Sequence, residues 1–112
     1  MDEVMTRIRQ FRDARDWLQF HNPKDLAVSI SIEAAELLEE FQWKSADESR
    51  RHAAEHKERV SDEIADVAIY LLELTDVLGI DLAAAIYAKL DKNEKKYPVE
   101  RSRGNSKKYT EL

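Results

Sequence analysis

The sequence predicts an all-α fold, a four-helix bundle with a short extra helix or connector and a C-terminal tail. Three observations lead there. Charged residues make up 37% of the 112 residues, only two glycines and two prolines punctuate them, and apolar residues recur at intervals of three and four. Few turn formers and many long charged side chains favour helices over strands. A chain of this length makes one domain with a modest core, which a partner chain would enlarge.

The first predicted helix runs from about Asp2 to Phe20, with Val4, Ile8, Phe11 and Leu18 at core-like spacing. His21-Asn22-Pro23 interrupts it. Asn22 suits an N-cap and Pro23 a first helical position, so a second helix is expected from Pro23 to about Trp43. The polar stretch 45–62 reads as a short connector that turns helical. A third helix, strongly apolar from Val60 to Leu78, should stop at Gly79, which tolerates the left-handed C′ conformation. Asp81 can cap a fourth helix to about Tyr97, where Pro98 discourages continuation. The expected helical domain is therefore 1–97, followed by a basic tail, 98–112, without apolar periodicity.

Composition narrows the function. There is no cysteine, hence no disulfide framework or thiolate chemistry, which fits a cytoplasmic setting. The N-terminal stretch is charged from its second residue and no long uncharged apolar run follows, so no membrane partner is expected. A net charge of −5 argues against nucleic acid, whose phosphates need a basic surface.

On a helical wheel of the second helix, Ala27, Ile30, Ala34, Leu37, Leu38 and Phe41 form the main apolar arc. Glu33, Glu36 and Glu40 lie beside it, and Val28, Ile32 and Trp43 form a second arc beyond them, while Glu39 reads as a plain surface residue. The third helix has a core stripe of Val60, Ile64, Val67, Leu71, Leu74 and Leu78, and is apolar almost all round. Such a helix is central, yet it carries Glu63 and Asp66. Carboxylates in that setting call for a cation or a strong hydrogen-bond network.

Residues three apart share a helix face, so Glu33/Glu36 and Glu63/Asp66 are two acid pairs that two helices could aim at one point. Oxygen donors without histidine or cysteine suit a hard cation, Mg²⁺ or Mn²⁺, and Mg²⁺ commonly binds substrates with several phosphates. A ferritin-like di-iron site would use Glu-x-x-His, which neither pair offers. His52 and His56 have a metal-compatible spacing but fall in the polar connector and read as surface residues.

The stretches IEAAELLEEFQWK and DEIADVAIYLLEL resemble the MazG-like nucleotide pyrophosphohydrolases, with the acid pattern E-E-x-x-E followed by E-x-x-D. The small dCTP pyrophosphatase branch is more similar still, through RDWLQFHNP, KLDKNEKKYP and RGNSKKYTEL. Ile32 stands at the first Glu of the general pattern, a Glu that the dCTP pyrophosphatase branch also lacks. The resemblance implies Mg²⁺-dependent hydrolysis of a nucleoside triphosphate to monophosphate and pyrophosphate. It implies metal binding by Glu33, Glu36, Glu63 and Asp66, with Glu33 or Glu36 as general base. It places Trp17, His21 and Trp43 at the nucleobase.

Tyr70, one turn beyond Asp66, is within reach of sugar or phosphate in that reading. Lys89, Asn93 and Lys96 share a face of the fourth helix and could meet base, sugar or phosphate, and Arg103 and Lys108 of the tail could add charge against the triphosphate. A homo-oligomer is expected, a tetramer built as a dimer of dimers, because one small chain cannot cover both apolar arcs. Related dUTPase-like and phosphoribosyl-ATP pyrophosphohydrolase activities, and a non-catalytic helical interaction module, are the alternatives.

Overall fold

The structure, a computed structural model, describes residues 1–111. Leu112, the last residue of the expected tail, lies outside the described residues. Six helices follow in order among the described residues: α1 (Asp2–Ala14), α2 (Pro23–Glu39), α3 (Ala46–Glu55), α4 (Lys57–Leu78), α5 (Leu82–Lys96) and α6 (Val99–Ser102). Single 3-10 turns occupy Leu18–Phe20 and Tyr109–Glu111, and there is no strand among the described residues. The chain divides into two units, Met1–Gly79 and the residues from Ile80 onward.

In the first unit α1 ends at Ala14, earlier than the expected Phe20. Asp16 takes a left-handed φ of 54°. The Asp16 N–H then donates to Asp13 O at 3.1 Å and the Trp17 N–H to Arg12 O at 3.1 Å, a Schellman closure with aspartate where glycine is usual. This turn sets Trp17 outside the helix. α2 begins as predicted, with Asn22 Oδ1 accepting from the Asp25 N–H at 2.9 Å and Pro23 in the first turn. It stops at Glu39, and Glu40 to Trp43 form a turn instead of a last helical turn.

The polar connector is itself a helix. Ser45 and Glu48 form a reciprocal capping box at the start of α3, with bonds of 3.1 and 3.0 Å. α4 ends where expected, on Gly79 at φ 66°.

α2 packs chiefly on α4. The inward side of α2 runs through Leu26, Ile30, Glu33, Leu37 and Glu40, and that of α4 through Val60, Glu63, Val67, Tyr70 and Leu74. Both stripes differ from the expected cores, for Leu38, Ile64, Leu71 and Leu78 are exposed. The helices are apolar in more than one direction, and the direction that packs is the one carrying the acids. Buried apolar side chains among the described residues are few, Ile8, Leu26, Val60 and Leu72. Ion pairs tie α1 to α4: Arg9 holds Asp76 through Nε at 3.0 Å and Nη2 at 2.6 Å, and Arg12 Nη1 reaches the other oxygen at 2.8 Å.

In the second unit Asp81 Oδ1 caps α5 through the Ala84 N–H at 3.0 Å, as the sequence indicates. The tail, expected without apolar periodicity, contains α6 and the final 3-10 turn, where Tyr109 meets Tyr97 edge to face at 6.1 Å.

Candidate functional site

The first acid pair comes from the middle of α2 and the second from α4. One carboxylate oxygen each from Glu33, Glu36 and Glu63 lie within 4.8 Å of one another. Asp66 is outside that spacing, but its charge raises the pKa of both Glu33 and Glu63. Glu40, expected beside them, is instead held by Arg59 Nε at 2.6 Å.

Crowding shows in the protonation of the cluster. The Glu33 carboxyl is pushed up to about 7, first by sharing a proton with Glu36, then by burial and by the charges of Glu36, Asp66 and Glu63. Burial raises Glu63, reinforced by Glu36, Asp66 and Glu40. Glu33 Oε2 and Glu63 Oε2 are enclosed and have no hydrogen-bond partner among the described residues. Orphaned acceptors of like charge are costly, and a cation relieves both the crowding and the missing partners. Around Mg²⁺, oxygens at about 2.1 Å stand about 4.2 Å apart across the ion, so the observed spacing and the oxygen-only donors fit.

Next to the acids lies a cavity of about 220 Å³ lined by Trp17, Phe20, His21, Asp25, Ser29 and Tyr70. Burial raises the Tyr70 hydroxyl, followed by the charges of Glu33, Glu73 and Asp66, so the tyrosine stands between cavity and acids. Aromatic faces with a few polar groups suit a planar ligand. Trp17 is braced edge to face on Phe11 at 5.7 Å.

The structure thus brings Trp17, His21 and Tyr70 together beside the acids. It does not bring Trp43 there: that side chain is 87% exposed in the turn after α2. Lys89, Asn93 and Lys96 lie on α5, and Arg103 and Lys108 follow α6, all in the second unit. Lys96 Nζ stands 4.9 Å over the Tyr109 ring. His52, expected at the surface, is half-buried against Phe41 with Nε2 3.6 Å from Glu40, whereas His56 is exposed. Phe20, Asp25 and Ser29 escaped the sequence reading, although Ser29 is one turn before Glu33 on the same face of α2.

The chain is similar to several known proteins. Residues 28–112 match the MazG-like family. The chain is 40% identical over 114 residues to dCTP pyrophosphatase 1 of Rattus norvegicus, covering 100% of this chain and 67% of the relative. Identity to dCTP pyrophosphatase 1 of Homo sapiens is 37%, with coverage of 100% and 67%. The crystal structure of a pyrophosphatase from Archaeoglobus fulgidus DSM 4304 superposes with a TM-score of 0.85 at 55% identity, over 88% of this chain and 92% of that one.

Proposed function

This chain belongs to the MazG-like family, and we propose that it is a nucleoside triphosphate pyrophosphohydrolase acting on deoxynucleotides, dCTP foremost. The observation that carries the reading is the convergence of three carboxylates, two with enclosed and unpartnered oxygens, beside an aromatic cavity. Glu33, Glu36 and Glu63, with Asp66 one turn on, would hold Mg²⁺. When bound, the ion supplies Lewis-acid polarisation of a phosphoryl oxygen.

The chain's own groups do the rest. Trp17 offers a face on which the base stacks, and His21 forms part of the cavity wall. Water attacks the α-phosphorus, the bond to the bridging oxygen of the β-phosphate breaks, and pyrophosphate leaves with the electron pair. The water's proton passes to a carboxylate oxygen of Glu33 or Glu36. The working unit is a homo-oligomer, a dimer of dimers, and Trp43 of one copy serves the base site of another.

Pyrophosphate release from a panel of canonical and modified nucleoside triphosphates, with and without Mg²⁺, tests the reading. Mg²⁺-dependent release with dCTP among the best substrates is expected. No release from any nucleotide at any metal concentration sinks it.

A further inference from the structure

Behind the aromatic cavity stands a carboxylate that hydrolysis does not use. Glu73 is one turn beyond Tyr70 on α4 and 5% exposed. Its Oε2 is enclosed and accepts no hydrogen bond among the described residues. Burial raises its pKa, with the charges of His21 and Arg12 acting the other way. An acid in such a place is costly unless it is paired. Arg12 is near, but its Nε goes to Asp13 and its Nη1 to Asp76, both at 2.8 Å.

His21 remains. Its Nε2 lies 3.6 Å from Glu73 Oε2, and the two side chains are 10% and 6% exposed. That separation is longer than a hydrogen bond, and a shift of about half an ångström closes it. Nδ1, the other ring nitrogen, is enclosed and has no partner, so no competing bond among the described residues holds the ring.

We propose that Glu73 is a positioning residue for His21: it accepts the Nε2–H of the imidazole, fixes the ring in the cavity wall and so sets which bases the cavity accepts. The inference rests on the reading of this cavity as the base end of a nucleotide site. A planar base stacked on Trp17 meets the flank of the His21 ring. A ring held in one orientation gives that wall one shape, whereas a free ring yields to bases that fit poorly. Prepaid ordering of the ring also favours the base that fits. Glu73 does not line the cavity, and the reacting phosphate belongs to the acids of α2 and α4, so its loss is felt in binding and discrimination.

Steady-state kinetics of the full chain with Mg²⁺ and pyrimidine and purine deoxynucleoside triphosphates test this. Glu73→Gln keeps an acceptor oxygen, and Glu73→Leu removes it without leaving a buried charge. Glu73→Leu is expected to raise KM for the best substrate about tenfold, to change kcat less, and to narrow the kcat/KM ratio between bases by a similar factor. Glu73→Gln should retain most of the discrimination. In a His21→Ala background Glu73→Leu should leave the ratio unchanged, because the two act as one unit. A Glu73→Leu enzyme as selective as the wild type, or effects that add in the double variant, overturn the proposal. A wild type that hydrolyses no nucleotide defeats the reading of the site instead, and the pairing is then judged by the imidazole ¹⁵N shifts. These should report the Nε2–H tautomer in the wild type and a mixture in Glu73→Leu; identical shifts in both overturn it.

Discussion

Single side chains decide both chemistry and stability in the first unit. Glu63→Gln, Glu36→Gln and Asp66→Asn keep the side-chain volume and remove a charge from the proposed metal set. Each should lower turnover about a hundredfold or more while the helical circular dichroism signal persists. The wild type should also gain in melting temperature on addition of Mg²⁺, since a ligand of the folded state stabilises it, and Glu63→Gln should lose that gain. Full turnover in any two of these variants contradicts the site. Asp76 belongs to stability instead. The hydrogen bond from Arg9, then that from Arg12, holds its carboxyl below the usual range against the effect of burial. The folded-state pKa is depressed, so the stabilisation is full above the unfolded value of about 3.9 and is lost as the pH falls through the folded value. Arg9 is half exposed and screens the pair only partly from water. Asp76→Asn should therefore cost about 2 kcal/mol at neutral pH, below the range for a wholly buried pair. Urea titrations at several pH values should show the difference shrinking toward zero below the folded pKa of Asp76; a difference independent of pH rules this account out.

At the scale of the element, chain stops and starts were legible where one residue does one job. Asn22 and Asp81 cap, Pro23 starts and Gly79 stops a helix in the places expected from sequence. Gly79→Ala meets no atom within 4 Å, so only the left-handed φ of 66° resists it. It should destabilise by about 1 kcal/mol, measured by urea denaturation, and leave Mg²⁺-dependent turnover intact at 25 °C. A neutral or stabilising effect would show that the cap is not strained. The end of α1 was not legible, because Asp16 performs in a left-handed conformation what glycine normally does. The packing faces were misjudged for another reason: α2 and α4 carry apolar residues in several directions, and a wheel cannot tell the face that meets its neighbour within the chain from one that is exposed. The acid pairs themselves were visible from spacing alone. Glu73 and Arg12 were not, since their partners are set by which helices meet and not by local pattern.

For the whole molecule, exposed apolar surface is the unresolved charge against a free single chain. Among the described residues four apolar side chains are buried, yet Val28, Ile32 and Leu38 on α2 and Ile64, Leu71 and Leu78 on α4 are exposed. Beside Val28 and Ile32 an open groove of about 500 Å³ runs along α2, lined also by Ala27 and Ala35. Apolar area of this extent is the observation behind the proposed homo-oligomer. In the proposed assembly the second apolar side of these helices is buried against another copy, and a closed arrangement with twofold symmetry does so with the least exposed edge. Ile32 is 53% exposed on the single chain, so Ile32→Asp should leave the fold of one chain intact while placing an uncompensated charge in the interface. Light scattering should report a smaller particle than the tetramer proposed for the wild type, circular dichroism an unchanged helix content, and turnover should fall because, in the proposed assembly, the base site of one copy loses the Trp43 of its neighbour. A wild type that is active while strictly monomeric at micromolar concentration removes the assembly from the mechanism. If Ile32→Asp instead stays tetrameric, the groove beside Ile32 is not the contact, and the exposed face of α4 that carries Ile64 and Leu71 becomes the surface to alter next.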